Sequence, residues 1–323
     1  MRIVTPSRLH AGLLDLHGGR GRVDGGAGFA LDAPSIEVEV ERGPLRVVAA
    51  PGVHPEILRH AREAALRLSR ARRVRGTVRI LRGYEPHVGL GSGTQAALAA
   101  AWGLARLHRL GLTVEEAAET AGRGGTSGIG VWAFEGGGFI VDGGHSRRVK
   151  RGFFPSAASR APPPPRVARL DMPDWPVVLA CPSGPSPTPP RVHGRTEVEA
   201  FRRLCPIPSR EVEEASRLVL LGLLPAVAEG DLPAFGEAVN RMQETGFKKR
   251  EVALQGPRME ALLRAARRAG AAGAGMSSFG PLAYALGPRP RTIRKALQAA
   301  LDRMGGGWTL ITRPRNRGAG VLP

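Results

Sequence analysis

The chain has 323 residues, 42% of them hydrophobic, and a formal net charge of +19 carried almost entirely by arginine. That length suggests about two domains and a core that folds without disulfides. Cys181 and Cys205 form no CxxC pair, which argues against a structural zinc site or a secreted framework. The N-terminus lacks the apolar stretch of a signal peptide, and no uncharged apolar run reaches the ~18 residues of a membrane span, so a cytoplasmic protein without a membrane partner is expected.

Residues 2–5 and 10–16 read as strands joined at Pro6-Ser7-Arg8, and His17–Gly28, with its six glycines, reads as a loop. Ser35–Glu41 alternates with period two, as a half-buried strand does, and Leu45–Ala50 is its expected hairpin partner. From Pro55 to Arg72 the apolar residues recur at helical spacing with arginines on the other face. A strand at Thr77–Leu81 leads into Pro86-His-Val-Gly-Leu-Gly-Ser-Gly-Thr-Gln95, and an alanine-rich helix runs from Gln95 to Leu107. Glycines at 89, 91 and 93 bring backbone N–H groups close to a ligand, and the helix behind adds its positive dipole end. Gly89, Leu90, Gly91, Ser92, Gly93, Thr94 and Gln95 are therefore candidates to cradle phosphate or pyrophosphate; the plainer reading is a tight turn with a helix cap.

Thr113 and Glu116 form a capping-box pattern for a helix over 113–121. Further on lie the glycine-rich segments 122–130 and 135–145, with a short central strand at Phe139–Val141. The prolines at 162–165 mark an expected domain boundary, dividing the chain into 1–165 and 166–323. A buried strand at Val177–Cys181 precedes a second proline-rich stretch, 182–190. Helices are expected over 211–224, 232–242 and 257–269, then a fourth glycine-rich loop, 272–281. A strand at 282–286, a helix at 291–304 and a strand at 308–312 complete the reading.

Three segments in this order resemble the motifs of the GHMP kinase superfamily: Pro6-Ser-Arg-Leu-His10, Pro86-x-x-x-Gly-Leu-Gly-Ser-Gly93 and Gly273-Ala-Gly-Met-Ser-Ser-Phe-Gly280. The more specific resemblance is to one branch, the beta-ribofuranosylaminobenzene 5′-phosphate synthase family. It is carried by Ser7–Asp15, Gly21–Gly26, His87–Gln95, Gly122–Gly130, Phe134–His145, Gln243–Lys248 and Gly273–Pro281, which together span residues 7 to 281. The resemblance implies an α+β, GHMP kinase-like two-domain fold, with an N-terminal domain like ribosomal protein S5 domain 2 and a ferredoxin-like C-terminal domain. It also implies a homodimer and the first step of methanopterin biosynthesis. In that step phosphoribosyl pyrophosphate and 4-aminobenzoate or 4-hydroxybenzoate give a C-riboside 5′-phosphate with loss of CO2 and pyrophosphate. GHMP kinases often carry a catalytic aspartate in the loop that here reads Thr126-Ser-Gly-Ile-Gly130, yet this chain has no acidic residue between Glu119 and Glu135.

Such a reaction needs N–H donors and Mg2+ for pyrophosphate, with Ser92 or Thr94 adding a hydroxyl near the metal. A carboxylate near the ribosyl carbon is needed as well, from Asp15, Asp24, Glu135 or Asp142. Arg8, Arg22, Arg123 and Lys248 are the candidate partners for carboxylate and phosphate, and Gly124, Gly125, Thr126, Ser127, Ser277 and Ser278 are further binding candidates. His10 or His145 would take a phenolic proton or orient the para group, and Met276 and Phe279 would form an apolar pocket for the ring. Each acid, histidine and arginine has a structural alternative as a loop cap, a packed core residue or a solvated face. Two other functions stay open: an ATP-dependent small-molecule kinase of the same fold and, from the charge alone, an RNA-binding protein.

Overall fold

A computed structural model describes residues 1–156, 158–183 and 192–322, so most of the proline-rich stretch 182–190 lies outside the described residues. The chain runs β1 (Arg2–Val4), β2 (Ser7–Asp15), β3 (Arg22–Leu31), β4 (Glu37–Glu41), β5 (Arg46–Ala49), α1 (Pro55–Arg72), β6 (Thr77–Arg82), α2 (Ser92–Leu107), α3 (Val114–Ala121), α4 (Ile129–Gly136), β7 (Phe139–Asp142), β8 (His145–Ser146) and β9 (Arg166–Leu170). It continues β10 (Val177–Pro182), α5 (Arg195–Leu204), α6 (Ser209–Leu218), a π-helical turn at Val219–Leu223, α7 (Leu224–Glu229), α8 (Leu232–Met242), α9 (Gly246–Gln255), α10 (Pro257–Arg268), β11 (Gly273–Met276), β12 (Ala283–Leu286), α11 (Pro290–Asp302), β13 (Gly307–Thr312) and β14 (Gly320–Leu322).

The first half builds two sheets. One has the order β14-β1-β4-β6-β5; the other has β2-β3-β7-β9, with β8 pairing β3. Val38 and Val40 of β4 and Val78 and Ile80 of β6 point into a core that α1 and α2 close, where the alanines at 96, 97 and 99–101, broken only by Leu98, let the helices lie close to the sheet. In the second half the order β11-β12-β10-β13 is fully antiparallel, with α5–α10 inserted between the first and second strands and α11 between the third and fourth. That is the ferredoxin-like split βαβ arrangement. A shared apolar core joins the halves: Leu9, Phe29 and Leu31 pack with Leu179, Tyr284 and Phe235. Among the described residues no helix is long and apolar enough to cross a membrane.

The structure departs from the sequence reading at several places. Leu45–Ala50 does not form a hairpin with β4; β5 pairs parallel to β6, and α1 supplies the crossover that a parallel pair requires. His17–Gly28 is a loop only as far as Gly21, and the rest is β3. Its glycines are there for close approach, since a Cβ on Gly28 would lie 2.2 Å from the Leu9 carbonyl oxygen. The first half of the expected 272–281 loop is strand β11, paired with β12. Residues 166–170 pair with β7, so they hydrogen-bond to the N-terminal half although the 165/166 division assigns them to the other. Near the C-terminus the chain also returns to the first half, through Arg315 beside Gly138 and through β14, which lines up on β1.

Candidate active site

The segments around residues 6–10, 86–93 and 273–282 meet at one place because their backbones are stitched together. Arg8 N–H donates to Leu90 O at 3.2 Å, Leu282 N–H to Val88 O at 3.1 Å, and Ser278 N–H to His10 O at 3.2 Å. Ser277 Oγ accepts from His10 N–H at 3.0 Å and donates to Gly89 O at 2.6 Å. Gly89 has φ +103°, and a Cβ there would sit 2.4 Å from the Ser277 carbonyl oxygen. Gly91 is the cap of α2 with φ +77°, and the helix begins at Ser92, three residues before the sequence reading placed it. Its N-terminus opens on a cleft of about 860 Å3 lined by Gly89, Gly91, Ser92, Gly93, Thr94, Arg8, Arg123 and Ser278. A positive helix end with five arginines on the walls (Arg8, Arg59, Arg67, Arg123 and Arg160) suits a polyanion.

Arg8 lies at the centre. Its Nη1 donates to Gly89 O, and burial lowers its pKa while Tyr84, Glu251 and Glu197 oppose that change. Arg123 Nη2 meets His60 Nδ1 at 2.6 Å. Burial brings Arg123 down to about 10, and burial, with Arg123 and Arg59 close by, brings His60 down to about 4. His60 is therefore neutral near pH 7, and Arg123 remains the cation. Across the cleft, Glu197 on α5 is pushed up to about 7 by burial and by Glu251, against the pull of Arg8.

Asp24 and His145 come together, but below the cleft. His145 Nδ1 and Lys150 Nζ lie 2.6 and 2.9 Å from Asp24 Oδ2, with all three side chains buried. Lys150 Nζ also donates to Gly125 O, Thr126 Oγ1 and Phe154 O, so this cluster clamps the 122–130 loop to the 150–164 segment. Gly124 and Gly125 are held tightly against Pro163 and Ser159 in the same layer. Asp142 accepts from Gly128 N–H (2.9 Å), Gly144 N–H (3.1 Å) and Ser127 Oγ (3.3 Å), and Ser127 Oγ also meets His10 Nε2 at 3.0 Å. Gln95 holds the loop from the other side through Gly130 O.

Several candidates are placed elsewhere. Asp15 caps a turn by accepting from His17 and Gly18 N–H. Glu135 pairs with Arg166 at the far end of α4. Arg22 donates to Gly143 O and Gly144 O. Met276 is packed in the core, and Lys248 is fully buried, paired with Glu251 and donating to Ser278 O. Asp15→Asn and Glu135→Gln are accordingly expected to keep turnover within about threefold of wild type, as surface changes do; a loss beyond tenfold in steady-state assays would return either acid to the site.

The sequence reading passed over Lys150, His60, Glu197 and Glu251. Lys150 had a signal: it is one of only four lysines in an arginine-rich chain, and arginine cannot be exchanged freely for a compact ammonium among five oxygen acceptors. Glu251 stands three residues after Lys248, the helical spacing of an ion pair. His60 and Glu197 reach the cleft only through the tertiary fold.

Residues 58–138 match the family model described as the GHMP kinases N-terminal domain, and residues 223–305 the one described as GHMP kinases C terminal. The homoserine kinase of Cytophaga hutchinsonii superposes with a TM-score of 0.68 at 17% identity, covering 100% of this chain and 97% of that one. The mevalonate kinase of Methanococcus jannaschii gives 0.67 at 13% identity, covering 98% of each. The fold is thus of the GHMP class. Within it, this chain is 43% identical to the beta-ribofuranosylphenol 5′-phosphate synthase of Methanothermobacter thermautotrophicus, over 99% of this chain and 98% of the other. It is 42% identical to that of Archaeoglobus fulgidus, over 99% of each. The chain belongs to the beta-ribofuranosylphenol 5′-phosphate synthase family.

Proposed function

We propose that the protein is a decarboxylating pentosyltransferase that joins phosphoribosyl pyrophosphate to 4-hydroxybenzoate, or to its 4-amino analogue, as the first step of methanopterin biosynthesis. The products are the beta-ribofuranosyl C-riboside 5′-phosphate, CO2 and pyrophosphate. One observation carries this beyond family membership. The glycine-rich loop at the cleft is intact, but the 122–130 segment beside it supplies no carboxylate of its own, and its Ser127 meets His10 Nε2. Kinases of this fold often carry an aspartate within that segment to activate the substrate hydroxyl, whereas departure of pyrophosphate from a ribosyl carbon needs none.

In this reading the N-terminus of α2, with Arg8 and Arg123, takes the negative charge that grows on leaving pyrophosphate. Displacement through a loose transition state, with inversion, turns an α-pyrophosphate into a β-riboside without a covalent nucleophile. Among the described residues no group of three or more His, Cys, Asp or Glu side chains is arranged to hold a metal. Ser92 and Thr94 line the cleft together with Glu56, Glu63 and Glu119. That donor set fits Mg2+ held mainly by substrate phosphates, where it neutralises charge on the leaving group. A cytoplasmic homodimer without a specific nucleic-acid partner completes the proposal.

The deciding experiment mixes the protein with phosphoribosyl pyrophosphate, Mg2+ and carboxyl-labelled 4-hydroxybenzoate or 4-aminobenzoate, with ATP omitted. Release of labelled CO2 with stoichiometric pyrophosphate is expected. No CO2 from either benzoate, with phosphate transfer from ATP to a small alcohol instead, would make the protein a kinase.

A further inference from the structure

His10 Nδ1 is buried and has no hydrogen-bond partner among the described residues. The side chain is 5% exposed, and β2 carries it two residues from Arg8, on the same face of the strand as that cleft-lining arginine. Its other nitrogen is engaged: Nε2 lies 3.0 Å from Ser127 Oγ, which lies 3.3 Å from Asp142 Oδ2. Ile129 N–H also donates to Ser127 Oγ, at 3.3 Å. A continuous path thus joins a buried carboxyl, a hydroxyl and an imidazole that ends in an unpartnered atom.

We propose that His10, Ser127 and Asp142 form a proton relay in which His10 Nδ1 takes the phenolic proton of the benzoate acceptor and Asp142 stores it. This rests on the activity proposed above. With Asp142 ionised, Ser127 Oγ–H donates to it, His10 Nε2–H donates to Ser127, and Nδ1 presents a bare lone pair. A proton arriving at Nδ1 passes its counterpart from Nε2 to Ser127 and from Ser127 to Asp142. His10 then ends as the neutral Nδ1–H tautomer, and in both states the hydroxyl oxygen keeps one lone pair for Ile129 N–H.

The charges around the path favour this outcome over an imidazolium. Arg8 from β2 and Lys248 from α9 face His10 and, with burial, hold its pKa well below 6.5. Burial raises Asp142 to about 7, opposed by the N–H groups of Gly128 and Gly144 and by Ser127, and assisted by Asp24 of β3. His145 and Lys150 meet Asp24 rather than Asp142. The ring carbon bearing the carboxylate bonds to the ribosyl carbon as its bond to pyrophosphate oxygen breaks, and the phenol gives its proton to Nδ1 to leave a dienone. The bond to the carboxylate then breaks, CO2 departs, its electron pair restores the ring, and the phenolic oxygen takes the proton back. Ser127 and Asp142 act here as positioning residues.

Nitrogen-15 NMR of histidine-labelled full-length protein, with His10→Gln to assign the signal, tests the relay without any activity. His10 is expected to stay neutral from pH 5.5 to 8.5 and to change from the Nδ1–H to the Nε2–H tautomer near pH 7, and Ser127→Ala is expected to abolish the change. A His10 that becomes imidazolium, or a single tautomer throughout, overturns the relay. The second arm compares CO2 release from 4-hydroxybenzoate and from its 3,5-difluoro analogue, whose phenol ionises at lower pH. His10→Gln is expected to slow the former at least a hundredfold and the latter less than tenfold. Equal losses with both acceptors overturn the base role even where the tautomer change is seen, and silence of the wild type with both defeats the proposed activity and leaves the NMR result to judge the relay. In wild type kcat/KM is expected to rise through pH 7, and in Ser127→Ala to rise at lower pH; a limb that stays at 7 in Ser127→Ala belongs to Glu197 and overturns the assignment.

Discussion

Lys150→Met is expected to lower the unfolding free energy by about 3–5 kcal/mol, because it leaves Asp24 buried with a charge that His145 alone must answer. The ammonium meets both Asp24 oxygens at 2.9 and 3.1 Å and three further oxygens at 2.8–3.0 Å, so its loss strands acceptors as well as a carboxylate. Adding Asp24→Asn removes the uncompensated charge, and the double variant is expected to recover at least half of the loss. Urea unfolding of wild type, Lys150→Met and the double variant reads both numbers. A single variant within about 1 kcal/mol of wild type, the range of an exposed ion pair, would show that water reaches this cluster.

Gly91→Val is expected to reduce turnover about a hundredfold while costing only about 1–3 kcal/mol of stability. A β-branched residue at φ +77° is strained, and its Cβ would come 3.1 Å from Arg8 Nε. The substitution therefore acts on the guanidinium at the centre of the cleft and on the first turn of α2 together. Gly91→Ala, with less bulk against Arg8, is expected to fall between the two. Steady-state rates beside melting curves separate the outcomes. Proportionate loss of activity and stability would mean that the loop is only a turn with a cap.

The elements were legible wherever one period ran without interruption. Val38 and Val40 alternate with glutamates, and α1 repeats its apolar face over 18 residues, so both elements were readable, α1 with both ends and β4 with its C-terminal end at Glu41. What failed was pairing. Nothing in Arg46–Ala49 says whether it meets β4 or β6, because the choice rests on how α1 packs after it. Glycine-rich strands were hidden for another reason: Gly26, Gly28, Gly273 and Gly275 signal turns by propensity, and only the fold shows how little room their neighbours leave. The site divided in the same way. Loop residues within the motif strings were found because backbone geometry forces their identity. The acids could not be ranked from sequence, since a turn cap such as Asp15 and a buried acceptor such as Asp142 are the same residue type in similar glycine-rich surroundings.

The pairing of β14 with β1 bears on how the protein is made. Strand β1 lies between β4 and β14, three residue pairs on either side, and Leu31 bridges to Pro314 nearby. On the ribosome the sheet that carries α1 and α2 stays one strand short until residue 322 has been synthesised. For all that time β1 presents a bare hydrogen-bonding edge, the kind of surface on which nascent chains pair with one another. Chains interrupted after β13 would be trapped in that state, so in expression trials truncation at Thr312 should yield aggregate rather than a smaller active enzyme.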